Sequence, residues 1–241
     1  MKRALLTAVI VLGIITPLKA ETFIIHTALI PPYITEARGG NGHGVILEII
    51  SGALKAARLD YKIVDDVPWR RAQDVAIDEP NSLISPFART AGREANWSWI
   101  ANLLDEKMYI YTPVGMTNPS TVDELLKVKS LGVLAGGAPE SVAKELGLEK
   151  VMETVSTEAQ NAAKIKSGRL EAWMSQGLMA SWGMRYAGIG QNEVNRAFVL
   201  RDLPLWVATS KKTSPENVEK LRTAFESFRT TPMYRDIISK Y

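Results

Sequence analysis

GVILEIISGALKAARLDYKIVDDVPWRRAQDVAIDEPNSLISPFA, residues 44 to 88, changes its hydrophobic rhythm three times. Val45, Ile46, Ile49, Ile50, Ala53, Leu54 and Ala57 recur at helical spacing and form one apolar face over residues 44–59. DYKIVDDV, 60–67, then reads as a strand. Pro68 opens a second helix, since a proline near a helix start loses no intrahelical bond. SLISPFA, 82–88, is again a strand. Upstream, TFIIHTALI, 22–30, is rich in β-branched residues and stops at Pro31-Pro32, which predicts another buried strand. Strand, helix, strand, helix, strand predicts an α/β layer with parallel strands.

The pattern then restarts. TVDELLKV, 121–128, is a short helix with Thr121 and Glu124 at capping-box spacing. Strands are predicted at 130–136, 150–156 and 171–175. Helices are predicted at 139–148, 157–170, with Gly168 at its end, and 177–188. A second α/β unit therefore spans roughly 113–203. RDLPLWVATSK, 201–211, is a strand-like return, and helices close the chain. Two α/β units without a loose linker predict a cleft between them. Ligands of open α/β sheets sit outside the carboxyl ends of the strands. The candidate segments are Pro31-Pro32-Tyr33, Ser85 to Arg93, Gly136-Gly137-Ala138 and Ser175-Gln176.

Residues 1–20 carry Lys2 and Arg3, then an apolar run from Leu5 to Leu18, then Lys19-Ala20. This is the layout of a secretory signal peptide, and the apolar run is short of the roughly 20 residues that span a bilayer. A periplasmic protein is expected. Loss of Lys2, Arg3 and Lys19 would take a formal charge of +3 to zero, and no basic tract remains, so nucleic acid is not an expected partner. The chain has no Cys and two His, which excludes thiol catalysis and Cys-ligated zinc. No metal or cofactor is expected. GGNGHG, 39–44, lacks both the spacing and the Lys of a phosphate-binding loop.

Several stretches, in order, resemble the family 3 solute-binding proteins, the periplasmic receptors of polar amino acid ABC importers. PPY follows the first strand and GVILEII opens the first helix. PWRRAQ is similar to the segment that brings an aromatic residue to the ligand. ARTAGRE resembles the T-x-x-R-E stretch, LGVLAGG the G-V-x-x-G-[ST] turn, and IKSGRLEAWMSQ the G-R-[VL]-D-A stretch. VATSKKTSPE resembles the return strand. The resemblance implies a type II periplasmic binding fold of two α/β lobes joined by two crossing segments. Lobe 1 would be residues 21–112 and 205–241, and lobe 2 residues 113–204.

It also implies a site. Arg93 aligns with the arginine that holds the ligand carboxylate, and a guanidinium fork suits a carboxylate bidentately. Thr90 can cap a short helix whose first turn holds Arg93, and Arg89 either assists or faces solvent. Ser85 lies on the strand leading to them. Trp69 matches an aromatic platform, and Tyr33 is held near the cleft by the prolines. Gly137 and Ala138 stand where a Ser or Thr hydroxyl is usual. Gln176 stands near where an Asp commonly pairs with the ligand ammonium, and a neutral amide cannot supply that charge. Trp97, Trp99, Trp173, Trp182 and Trp206 read as core. The expected function is capture of a small carboxylate, an amino acid or related organic acid, by a monomer, with an ABC permease as candidate partner. Two other readings stay open. One is a stand-alone sensor or accessory protein. The other is an enzyme like the cyclohexadienyl dehydratases, which needs a general acid not evident near the cleft.

Overall fold

The computed structural model describes residues 21–35, 43–65 and 67–241. The expected signal peptide and most of the GGNGHG loop lie outside the described residues. The chain forms two five-stranded sheets. In the first, β1 (Thr22–His26), β2 (Asp60–Val64) and β3 (Ser82–Ala88) are parallel. β10 (Leu205–Ser210) runs antiparallel between β3 and β4 (Trp97–Leu104), giving the order β2-β1-β3-β10-β4. In the second, β6 (Leu131–Leu134) pairs in parallel with β7 (Met152–Val155) and β8 (Ala172–Gln176). β5 (Lys107–Pro113) lies antiparallel between β8 and β9 (Val194–Asp202), giving β7-β6-β8-β5-β9.

Helices cover these sheets where the periodicity places them. The predicted helix at 44–59 is α1 (Val45–Ala56), and that opened by Pro68 is α2 (Trp69–Ala76). β3 is buried at all seven positions, because alternate side chains enter opposite layers. Leu83 joins the core under α1, while Ile84 and Phe87 join an aromatic cluster with Trp97 and Trp99. Gly52 on α1 lets α8 (Pro215–Arg229) approach: a Cβ there would stand 2.4 Å from Phe228 Cζ. α9 (Pro232–Ile238) closes the first lobe against α1.

The second sheet carries α4 (Val122–Leu125), α5 (Ala138–Glu145), α6 (Glu158–Lys166) and α7 (Gly177–Tyr186). Thr121 caps α4 by accepting the Glu124 N–H, and Glu124 reaches back to the Ser120 N–H at 2.7 Å. Gly168 ends α6 at φ 70°, closing it through the bond from the Arg169 N–H to the Lys164 carbonyl.

The chain passes between the sheets twice, at Asp105-Glu106 and at Leu203-Pro204. The two passages bond to each other through the Leu203 N–H and the Glu106 carbonyl, 2.8 Å apart. The first passage falls before β5, while the expected lobe boundary fell after it, near residue 112. β5 takes all its pairings from the second sheet. No helix among the described residues is long and apolar enough to cross a membrane.

Candidate functional site

Ala88, Leu134 and Gln176 are the last residues of β3, β6 and β8, and all three line one cleft between the sheets. Carboxyl strand ends from both lobes thus converge, as the α/β pattern requires.

On the first side, β3 gives way to α3 (Ala91–Glu94). Thr90 is its extended N-cap, with φ −125°. The Thr90 carbonyl accepts the N–H groups of Arg93 and Glu94 at 3.0 Å, but its hydroxyl makes no capping bond. Arg93 folds back over β3. It donates to the Ala88 carbonyl at 3.1 Å and to Gln73 Oε1 at 3.2 Å, and its Cζ lies 4.2 Å from the Phe87 ring centre. Trp69, at the start of α2, meets the same ring edge-on at 6.1 Å. Among the described residues no carboxylate lies within ion-pair distance of Arg93. Burial, and then the positive charge of Arg70, lower its pKa to about 10, so it stays cationic at neutral pH with only neutral acceptors.

The two arginines of this stretch part company. Arg89 is held by Glu94 through Nε at 2.7 Å and Nη2 at 2.5 Å, and lies over Trp99 and Trp206. It does not line the cleft, and neither do Thr90 or Ser85. Ser85 is fully buried, donating to the Trp206 carbonyl while its own carbonyl accepts from Thr27.

Tyr33 lines the cleft floor. The first N–H groups of α1 hold it: Val45 donates to the Pro32 carbonyl and Ile46 to the Tyr33 carbonyl. Gly44 makes that approach possible, at φ 104° with a Cβ position 2.5 Å from the Tyr33 oxygen. The Tyr33 hydroxyl donates to Glu106 Oε1 at 2.8 Å. Glu106, in the first passage, also accepts the Leu178 and Lys107 N–H groups at 3.4 Å. One buried carboxylate therefore links lobe 1, the passage and the N-terminus of α7, which suits negative charge. Burial outweighs these bonds and raises the Glu106 pKa. Burial, with Glu106 second, also raises that of Tyr33 well above the phenol range. Glu106 is not singled out by the sequence, because Asp105-Glu106-Lys107 looks like a solvated charge cluster. Its one signal is that it interrupts two apolar strands.

The second side is poorer in polar groups. Gly136 donates to Glu140 Oε2 at 2.5 Å and Gly137 to the Leu134 carbonyl, so the turn consumes both N–H groups. Gly137, Ala138, Pro139, Leu134 and Met179 present an apolar wall. Gln176 is 4% exposed, and its Oε1 has no hydrogen-bond partner among the described residues. Beneath it, Glu158 accepts from Trp173 Nε1, Ser175 Oγ and Asn161 Nδ2 at 2.8–2.9 Å. Burial without a cation raises its pKa. None of the described residues lining the cavity beside Arg93 is acidic. As the lobes stand, the cleft holds a cavity of about 30 Å³, room for one or two waters.

No family model and no curated protein matches the sequence. Solved structures do match. A histidine kinase sensor domain with similarity to periplasmic binding proteins superposes with a TM-score of 0.79 at 12% identity, covering 91% of this chain and 95% of the other. The fold is that of the periplasmic binding proteins. An ABC uptake transporter substrate-binding protein from Streptococcus pneumoniae, with bound histidine, gives 0.74 at 15% identity, over 91% and 92% of the two chains. An ancestral amino-acid-binding protein, described as a precursor of cyclohexadienyl dehydratase, gives 0.73 at 18% identity, over 91% and 94%. At these identities the likeness shows the fold alone.

Proposed function

We propose that this chain is a periplasmic solute-binding protein that captures a small carboxylate between its lobes and delivers it to an ABC importer. The observation that carries this reading is Arg93, a half-buried guanidinium with no acidic partner among the described residues, beside a cavity whose described lining holds no acid. A desolvated charge without a counter-ion is costly, and a ligand carboxylate removes that cost with two charge-assisted bonds. Tyr33, Trp69, Gly137, Ala138 and Gln176 form the remaining contacts, with Gln176 offering an orphaned carbonyl. Lobe 1, built on the first sheet, pivots on lobe 2, built on the second, and the pivots are Asp105-Glu106 and Leu203-Pro204. Closure follows because the ligand touches both halves only in the closed state.

Among the described residues no carboxylic acid or histidine lines the cavity beside Arg93, and Glu158 on the adjoining hollow is turned inward onto Trp173, Ser175 and Asn161, so binding is favoured over catalysis. A sensor role is the second reading, supported by the likeness to the kinase sensor domain. The test is a thermal-shift panel on refolded protein, with carboxylates, α-amino acids and amines. A ligand at 1,000 times its Kd adds about 4 kcal/mol. Shifts with carboxylates that vanish in Arg93→Ala support the proposal, and a response confined to amines sinks it.

A further inference from the structure

The head of the cleft is too small for most of a ligand. Its cavity of about 30 Å³ beside Arg93 admits a carboxylate group and little else. A second hollow of about 400 Å³ lies next to it, also between the lobes. The two share three wall residues, Ile30 from lobe 1 and Leu134 and Met179 from lobe 2. Beyond them the hollow is bounded by Leu29 and Pro31 on one side and by Ala159, Trp182 and Tyr186 on the other. Leu29 is 59% exposed and Tyr186 79% exposed, so apolar surface stands open at the mouth of the hollow. Among the described residues Glu158 is the one charged residue on the wall, and its carboxylate is turned inward onto Trp173, Ser175 and Asn161.

We infer that this hollow takes the tail of the ligand. Arg93 holds a carboxylate head, the body passes over Ile30, Leu134 and Met179, and an uncharged, largely apolar tail lies against Trp182 and Tyr186. The ligand class is thus an amphipathic monocarboxylic acid, longer than a small amino acid. About 400 Å³ falls in the range of small-molecule sites, and among the described residues the one cation on either wall, Arg93, stands at one end. This inference rests on the carboxylate reading of Arg93.

Calorimetric titration of the refolded protein with acetate, butanoate, hexanoate and octanoate tests it, with 1-octanol as the headless control. Kd should fall by about fourfold for each methylene that enters the hollow. Ala159→Phe, which fills the hollow from α6, should abolish that gain and leave butanoate binding unchanged. Equal affinity for butanoate and octanoate in the wild type overturns the inference but leaves the carboxylate reading intact. So does a length dependence that survives Ala159→Phe. Failure of every acid, or octanol binding as tightly as octanoate, overturns both. The wild-type series decides even where the variant folds poorly.

Discussion

Arg93 and Gln176 stand just beyond or at the carboxyl ends of strands in the two sheets, yet they bring opposite things to the cleft. The first lobe supplies a half-buried cation braced by Phe87, Ala88 and Gln73, with Trp69 and Tyr33 beside it. The second supplies apolar wall and one unbonded amide oxygen. The same α/β architecture thus makes an anchor on one side and a lid on the other. Strand ends fix where a site lies, and the few residues after them fix its chemistry.

The largest effect should come from removing the anchor. Arg93→Met should weaken carboxylate binding by about 2–5 kcal/mol, read by calorimetry. The unliganded protein should lose little stability, since an apolar side chain replaces a half-buried charge with no acidic partner among the described residues. A large fall in both would mean that Arg93 is structural. Next, Gln176→Glu puts an acid into the lid. Discrimination should move toward α-amino acids over their deaminated counterparts by about 2 kcal/mol. An unchanged ratio would show that Gln176 faces no charged part of the ligand.

Tyr33→Phe breaks the link between the lobes. It removes one donor to buried Glu106 and should cost about 1–3 kcal/mol of stability in denaturant unfolding. The pH dependence has a definite sign. Glu106 and Glu158 both have folded pKa values above 4.5, so the folded state holds more protons and these groups stabilise it most below 4.5. Their contribution should be lost as pH rises from about 4.5 through the raised values. Glu158→Gln should reduce that slope: its amide oxygen can accept from Trp173 and Asn161, while its NH₂ donates to Ser175. A slope unchanged in this variant would remove Glu158 from the account. The smallest effect is expected at Arg89, where alanine should change Kd by less than about twofold.

Much of this was legible in the sequence because it is local. The change of hydrophobic period marks α1, β2, α2 and β3, and the Thr121 and Gly168 signals fall where their helices begin and end. The rest depends on what lies across space. LLDEKMYIY contains two strands that enter different sheets, and only pairing partners show that the break is at Asp105-Glu106. Arg89 and Arg93 look equivalent until Glu94 takes one and the Phe87 ring takes the other. β9 escaped because it lies at a sheet edge, half-buried with every third residue exposed, so its short apolar run at 197–200 carries no strand alternation.

The most direct measurement is calorimetry with a matched trio on wild type and Arg93→Ala: 3-phenylpropanoate, phenylalanine and phenethylamine. The account predicts that the acid binds most tightly, the amino acid less, the amine not at all, and that the variant loses the acid. Tighter binding of phenylalanine than of 3-phenylpropanoate, or acid binding that survives in Arg93→Ala, would contradict it.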